Sequence, residues 1–390
     1  MKPFFSKPAL WLSAVASATA VFSTPAFAQV DPSRMVDAFE RAGGKFEGFR
    51  RSGAKGVCAA GEFVGSEQGR ALSVSSAFSG KPVPVTVRYS VGGGNPKAPD
   101  NARSQRNMAL QFDLPEGETW QMGNISAPVF GAATPEQLLG RLESGTPDPE
   151  TKRPNPEKVK AFADANPEVL LQGKYYASQP VPAGFDKVNY WGVHAFAFVD
   201  ASGKKQFGKW VFEPVGGTQS LSDDEAKAKG SDFLFDELRQ RVAAGGVAFD
   251  FNLQLAEPGD KLDSAVTPLP EDRKKVTLGR LTVKSVSADS TGSCVTVTYN
   301  PMVLPKGVSP QPTRCWPPAP PRTQCRWADV WSKAPSSKEA SACRGCGGAD
   351  TAAGSSQRPA SHRPAGRQGE QRRMGSCTSR SPFIGNLRGF

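Results

Sequence analysis

Apolar and polar residues alternate along several short stretches of this chain. The clearest is VPVTVRYSV at 83–91, where every second residue from Val83 to Tyr89 is apolar, while Arg88 and Ser90 take the other face. This period of two predicts a β-strand with one buried side. The same reasoning predicts strands at 57–63, 108–114, within 120–130, and at 194–199, 209–212, 247–255, 277–286 and 294–299.

Helical segments are fewer. Apolar residues at positions 234, 235, 238 and 242 predict a helix over 233–244. The run Thr134-Pro135-Glu136 is typical of a helix start and predicts a helix over 135–142, and two more are expected at 36–42 and 159–165. Roughly eight strands joined by short turns, with a few helices between them, indicate an α+β protein with a closed or nearly closed antiparallel barrel.

The first 28 residues have the layout of a secretory signal peptide. Lys2 and Lys7 precede a mostly apolar stretch, and Ala26-Phe27-Ala28 supplies small residues for a cleavage point after Ala28. The apolar stretch is too short and too interrupted by serine to predict a membrane span. We therefore expect a periplasmic or secreted mature protein with no membrane span after signal cleavage.

Composition separates residues 29–311 from residues 312–390. The latter hold 13 Lys and Arg against 4 Asp and Glu, and five of the seven cysteines. They supply +9 of the formal charge of +11 and residues 1–28 supply +2, so residues 29–311 are neutral. Few core residues and high charge predict a disordered basic tail. A zinc site at Cys343 and Cys346 and a nucleic-acid-binding arm are its weaker alternatives, and the neutral domain predicts no nucleic-acid partner.

Two cysteines and one histidine lie in the central domain. Cys58 and Cys294 could form a disulfide in an oxidising compartment, and two separate buried thiols are the alternative. His194 lies in a predicted strand, where we expect a structural role; the only other histidine, His362, lies in the tail.

Four stretches, taken in order, resemble the catalase-related haem peroxidases. They are GFRRSGAKGVCAAGEF at 48–63, VRYSVGGGNPKAPD at 87–100, RNMALQFDLPEGETWQMGNISAPVF at 106–130 and NPMVLPKGVSP at 300–310. The resemblance covers residues 35–311 and implies a catalase-like eight-stranded antiparallel barrel that binds haem b. It also implies reduction of hydrogen peroxide or organic peroxides by an organic electron donor, and it leaves the oligomeric state open.

The resemblance further implies site residues. Arg50 and Arg88 match arginines that pair with the haem propionates, and Asn124 in MGNIS stands near the family's distal asparagine. The family's distal histidine transfers protons between the two peroxide oxygens. In the frame RRSGAKG that position holds Gly53, which has no side chain to do so.

The axial tyrosine that binds iron in this family is also missing. Tyr299 is the last tyrosine of the chain, and it lies in a predicted strand rather than in the family's final helix. A shifted reading of codons for residues 322–334 can yield Tyr-Ala-Val-Ser, close to the family's ending. Our hypothesis is that a frameshift near codon 312 replaced that helix. We expect impaired activity, and the alternative is a non-catalytic barrel that binds haem or an apolar ligand.

Overall fold

The computed structural model describes residues 30–311, which form an antiparallel β-barrel with helices packed around it. The strands are β1 Gly56–Gly65, β2 Pro82–Val91, β3 Arg106–Asp113, β4 Thr119–Ile125, β5 Tyr190–Trp191, β6 Phe196–Val199, β7 Lys205–Pro214, β8 Ala248–Leu255, β9 Lys275–Ala288 and β10 Val308–Pro310. The helices are α1 Pro32–Gly43, α2 Glu67–Leu72, α3 Pro135–Ser144, α4 Pro156–Ala165, α5 Leu171–Ser178, α6 Asp223–Ala228 and α7 Phe233–Ala243. The signal peptide and the basic tail predicted above lie outside the described residues.

Eight of the strands close the barrel. Neighbours follow the order β5, β4, β3, β2, β1, β9, β8 and β7, and β7 pairs back onto β5, so the ring has no open edge there. Strand β6 pairs with β7 beyond the short β5, and β10 adds to β6. The predicted α+β fold with a barrel of eight antiparallel strands is confirmed.

Alternation along the strands sorts side chains between two faces. Across the first four strands, Val57 lies opposite Tyr89, Tyr89 opposite Met108, and Met108 opposite Asn124. The three apolar members of this row belong to the main buried core, so the row faces the barrel interior. The neighbouring row of Cys58, Arg88, Ala109 and Gly123 therefore faces outward, because successive side chains of a strand point to opposite sides.

Aromatic side chains fill the barrel interior. Phe251 stacks on Phe212 with ring centroids 4.5 Å apart, and Trp210 stacks on Phe196 at 4.3 Å. Trp120 meets Trp210 edge to face at 6.1 Å, and all these rings are buried. A ligand inside the barrel would have to displace these rings.

The predicted strand at 294–299 is wrong. A short 3-10 turn, Ser293–Val295, stands there, and residues 296–300 belong to no strand. The Arg50 guanidinium, rather than a neighbouring strand, donates to the carbonyl oxygens of Cys294 and Val297, at 2.9 and 3.1 Å. These two carbonyl oxygens therefore bind a side chain and do not take part in strand pairing.

The predicted strand at 194–199 begins two residues late, at Phe196. Before it, the chain leaves the sheet after β5 and passes close to the Trp210 indole at Gly192, where a Cβ would lie 2.2 Å from Nε1. The other predicted strands and all four predicted helices are present, with shifted ends. Among residues 30–311, no helix has the length and apolar character needed to cross a membrane.

Candidate functional site

The two predicted arginines converge on the outer face of the first strands. We call this surface, carrying Cys58, Arg88, Ser90 and Asn107, the arginine face. Arg88 and Ser90 alternate with inward-pointing residues of β2, and Asn107 on β3 lies directly opposite Ser90 and donates to its Oγ at 3.1 Å. Arg50 reaches the same region from the segment before β1, and both arginines are only 4% exposed.

Gly53 lies directly against this polar group. A Cβ built on it would stand 2.8 Å from Ser90 Oγ and 3.5 Å from both Arg88 Nη1 and Asn107 Nδ2. The residue also has a φ of +63°, in the left-handed region that suits glycine. The position aligned with the family's proton-transferring histidine therefore faces the arginine face with a hydrogen atom only.

A short segment after β9 lies across the arginine face. We call residues 289–300 the strap. Cys294 of the strap is joined by a disulfide to Cys58 of β1, which resolves the alternative left open by the sequence. Asp289 accepts two hydrogen bonds from the Arg88 guanidinium, Nε to Oδ1 at 2.8 Å and Nη2 to Oδ2 at 2.9 Å.

The Arg50 pKa responds to burial and to its charged neighbours. Burial, followed by the charge of Arg88, lowers the pKa of Arg50 to about 10, while Asp289 opposes this shift. The Arg50 guanidinium remains cationic at neutral pH because that value is well above 7. Two adjacent buried cations are stable only where acceptors surround them, and Asp289 and the strap carbonyls supply those acceptors.

Tyr299, the last residue but one of the strap, packs with the disulfide cysteines beside Arg50. The Arg50 guanidinium carbon lies 5.8 Å from the ring centroid. The Tyr299 hydroxyl is buried and has no hydrogen-bond partner among the described residues. Burial raises the pKa of Tyr299 above its usual value although Arg50 and Arg88 pull it down, so this side chain stays a neutral phenol. A neutral phenol does not supply the anionic oxygen that binds iron in catalases.

Asn124 is not brought to the arginine face. Its amide lies inside the barrel, where Oδ1 accepts from Trp210 Nε1 at 2.7 Å and Nδ2 donates to the Met108 carbonyl oxygen at 3.0 Å. The residue of β4 that lies opposite Asn107 is Ile125. The sequence TWQMGNI already indicates this inward direction. Trp120 and Met122 are buried inward-pointing residues, and Asn124, two residues further along the strand, points to the same side.

His194 lies apart, in the break between β5 and β6. It is partly buried, its ring centroid lies 6.4 Å from that of Phe130, and burial with the nearby Lys209 charge lowers its pKa to about 3. Lys209 donates to the carbonyl oxygens of Ser264 and Thr267, which ties the segment 264–267 to β7. A neutral packed imidazole agrees with the structural role expected for His194.

An open cleft of about 470 Å³ lies beside the arginine face. Its lining includes Phe49, Lys55 and Phe235, together with Asp289 and Ser290 of the strap. Lys55 is held there by Asp100 at 2.7 Å. The cleft brings solvent to the Arg88–Asp289 pair without exposing Arg88 itself.

The candidate site thus consists of a buried arginine pair and a disulfide on the outer face of a closed barrel. A profile described as Catalase matches residues 49–295. A catalase-related peroxidase of Synechococcus elongatus is 38% identical over 281 residues, covering 72% of this chain and 83% of that protein. One of Mycolicibacterium paratuberculosis is 31% identical over 282 residues, covering 72% and 88%. The chain belongs to the catalase family.

Solved structures agree on the fold. The crystal structure of a fungal catalase superposes with a TM-score of 0.64 at 17% identity, over 75% of this chain and 61% of that one. Curated catalases of Glandirana rugosa and Vibrio cholerae are 25% and 27% identical, and the matched region spans about half of each, 52% and 54%. Family membership makes the protein an oxidoreductase of a class that acts on peroxide and whose homologues carry haem.

Residues 30–311 do not complete a haem site. Arg50 and Arg88 have the right chemistry for two propionates, but their donors are directed at Asp289 and at strap carbonyls. Gly53 offers no acid–base group, Tyr299 is a neutral phenol, and the expected axial tyrosine would belong to a stretch outside the described residues. The cofactor expected from the family therefore does not fit the face that the strap covers.

Sequence reasoning found Arg50, Arg88 and Gly53 but missed their partners. Ser90 was assigned to the correct strand face, yet nothing marked it as a neighbour of Gly53. Asp289 was missed because it follows β9 without any motif, and Tyr299 was considered only as an iron ligand, within a predicted strand, and not as a neighbour of Arg50. The signal available was the cysteine pair: a Cys58–Cys294 bond requires residues near 294 to lie against β1.

Proposed function

We propose that this chain derives from a haem b peroxidase that reduces hydrogen peroxide or organic peroxides with an organic electron donor, and that its own turnover is impaired. The observation that carries the proposal is Gly53, which faces Ser90, Arg88 and Asn107 without a side chain. Loss of a positioned acid–base group typically costs about 10²–10⁴-fold in rate. The names of the two similar catalase-related peroxidases support the ancestral activity.

The protein is proposed to act outside the cytoplasm, periplasmic or secreted. The signal-like residues 1–28 support export, and so does the Cys58–Cys294 disulfide, since such bonds persist in oxidising compartments. A frameshift near codon 312 remains our hypothesis for residues 312–390. Genomic DNA with a clean frame, and with no Tyr-Ala-Val-Ser in either shifted reading, would reject it.

The second candidate is a non-catalytic binder of an acidic ligand. The barrel interior does not favour it, because aromatic rings already pack that space. The outer face does, since the buried Tyr299 hydroxyl has no partner among residues 30–311 and stands beside Arg50. A ligand carboxylate would accept a hydrogen bond from that hydroxyl, and from Arg50 once it displaces the strap carbonyls.

An absorbance titration with haemin separates the candidates. Purified protein is scanned for a Soret band, and peroxide consumption is then followed with an aromatic donor. Haem binding without turnover supports the binder, and turnover comparable to an intact catalase-related peroxidase would reject the proposed impairment.

Restoring the missing groups tests the ancestral activity. Gly53→His is combined with a C-terminus in the shifted frame, and with Ser90→Ala in a parallel variant, because a Cβ at position 53 would stand 2.8 Å from Ser90 Oγ. Recovery of peroxidase activity is expected, more fully with Ser90→Ala if the serine cannot rotate away. If neither variant recovers activity, the binder is favoured.

A further inference from the structure

We propose that the strap is a disulfide-closed cover that occupies Arg50 and Arg88 with the chain's own acceptors, and that an acidic planar ligand reaches this face only when the Cys58–Cys294 bond is reduced. The inference goes beyond the proposed function, since it concerns access to the arginine face and requires no peroxide turnover.

The strap crosses four strands and contacts each of them. Cys294 is bonded to Cys58 on β1, and Asp289 pairs with Arg88 on β2. Ala109 of β3 packs against the cluster formed by Cys58, Cys294 and Tyr299, and the backbone N–H of Asn300 donates to Gln121 Oε1 of β4 at 2.7 Å. A planar ligand laid on this face would overlap the strap along its length.

Asp289 stands where a ligand carboxylate would bind. Its two oxygens take the paired donors of Arg88 at 2.8 and 2.9 Å, the bidentate geometry in which guanidinium groups recognise carboxylates. Arg50 is turned toward two strap carbonyls by the same segment. An external carboxylate must therefore displace an internal one before it can bind Arg88.

Apart from the disulfide and its polar contacts with Arg50, Arg88 and Gln121, little holds the strap. Only Cys294 and Tyr299 of its twelve positions, 289–300, are buried, and its only regular structure is the three-residue turn Ser293–Val295. Segments with few buried apolar contacts open locally at low free-energy cost. The covalent bond removes that freedom, and it holds the strap tightly: a Cβ on Gly292 would stand only 2.3 Å from Cys58 Cβ.

Reduction requires a dithiol, such as dithiothreitol or a protein dithiol of the same compartment. A thiolate of the reductant attacks one sulfur of the Cys58–Cys294 bond and forms a mixed disulfide, and the other cysteine leaves as a thiolate that takes a proton. The second thiolate of the reductant then releases the remaining cysteine. Two electrons and two protons end on Cys58 and Cys294, and the reductant departs as a disulfide.

The test compares wild-type protein with Cys58→Ser/Cys294→Ser in binding metal-free protoporphyrin, a planar dicarboxylic acid. The double variant is expected to bind it at least about tenfold more tightly, because the competent fraction of molecules rises. Hydrogen exchange of residues 289–300 should accelerate in the variant, while exchange of β1–β4 stays slow and shows that the barrel is folded.

Two single substitutions sharpen the test. Asp289→Asn leaves the disulfide intact and removes the internal carboxylate, so an intermediate gain in porphyrin affinity is expected. Ser290→Ala, at the neighbouring exposed strap position, serves as the matched control and should change nothing. Equal porphyrin affinity in wild type, Asp289→Asn and the double variant would overturn the proposal.

Wild-type protein provides a second measurement if the double variant does not fold. Oxidised and dithiol-treated samples are compared by hydrogen exchange, with β1–β4 peptides again reporting the fold. Faster exchange of the strap alone after reduction is expected. Unchanged exchange at 289–300 in protein whose Cys58 and Cys294 are shown by mass spectrometry to be reduced would also overturn the proposal. Protoporphyrin carries no iron, so these outcomes are independent of whether the chain has peroxidase activity.

Discussion

The two sides of the sheet formed by β1–β4 are held together in different ways. On the inner side, Tyr89 and Met108 belong to a continuous apolar core that is buried on every strand. The adjacent residues of the same strands point to the outer side. There Arg88 is held by the carboxylate of Asp289, and Cys58 by its disulfide with Cys294. The inner side is redundant, whereas the outer side relies on a few specific partners.

This difference suggests that the inner side determines the stability of the fold and the outer side its binding chemistry. Aromatic rings fill the barrel interior, while the outer face carries two arginines, with Gly53 beside Arg88 and Tyr299 beside Arg50. Substitutions on the inner side should therefore change the free energy of unfolding, and those on the outer side should mainly change access and binding. The following variants test that division, from the largest expected effect to the smallest.

Phe251→Ala should be the most damaging. The ring is fully buried and stacks on Phe212 at 4.5 Å, so its loss leaves a cavity and costs about 3–5 kcal/mol of unfolding free energy. Phe49→Ala is the matched control, because Phe49 is 42% exposed and should cost well under about 1 kcal/mol. Urea unfolding of both variants measures the difference, and similar losses would contradict the packed interior.

Cys58→Ser/Cys294→Ser is expected to cost about 2–4 kcal/mol, because the bond restricts the unfolded chain. It is the one outer-face change that should approach a core substitution in size. Denaturant unfolding without reductant measures it, with Cys315→Ser as a control that leaves this bond intact. Unchanged stability of the double variant would mean that the bond does not constrain the unfolded protein.

Asn124→Ala tests a polar residue on the inner side. It leaves Trp210 Nε1 without its acceptor inside the barrel, and about 1–3 kcal/mol of stability should be lost. Gln111→Ala, on the outward phase of β3, should cost less. Because the Asn124 amide points inward, porphyrin affinity of the folded variant should not change. A selective loss of affinity would indicate that Asn124 contacts the ligand.

His194→Gln should flatten the response to acid. The folded pKa of His194 is about 3, below the ordinary value of 6.5, so the unfolded chain binds more protons between these limits. Stability is then full above pH 6.5 and falls with decreasing pH by up to about 1.4 kcal/mol per unit. The difference between wild-type and variant unfolding free energies from pH 6.5 to 5 isolates this slope, since other groups are shared. Parallel curves would show that the imidazole is not kept neutral.

Gly53→Ala should have the smallest effect. The positive φ costs about 1 kcal/mol for any residue with a Cβ, and the contact with Ser90 Oγ adds to it. Gly117→Ala is the matched control, because Gly117 has a φ of +76° and open space around it. The difference in unfolding free energy between the two variants reports the Ser90 contact, and Ser90→Ala should remove that difference.

Much of the barrel could be predicted because alternation is a local property. VPVTVRYSV assigned Val87 and Tyr89 to one side and Arg88 and Ser90 to the other, and the structure agrees. The strap could not be predicted in the same way. Val295 and Val297 alternate with threonines as in a strand, but Arg50, distant in sequence, holds the carbonyl oxygen of Val297.

The residues of the candidate site were also predictable only where the signal was local in sequence. Arg50, Arg88 and Gly53 could be located from motifs that keep their spacing. Their partners Asp289 and Tyr299 are brought to them by chain closure between β9 and β1, which no local pattern encodes. Asn124 shows the opposite error: a motif indicated a role, while the alternation set by Trp120 and Met122 placed its amide inside the barrel.

The Cys58–Cys294 bond spans 236 positions of the sequence, so it turns nearly the whole domain into a covalent ring. A single proteolytic cut anywhere between those residues, for instance in the exposed loop around Glu150, opens the ring without releasing a fragment. Nicked protein should therefore migrate as one species on a non-reducing gel and as two after thiol treatment. Proteolytic damage to this molecule would remain hidden until the bond is broken.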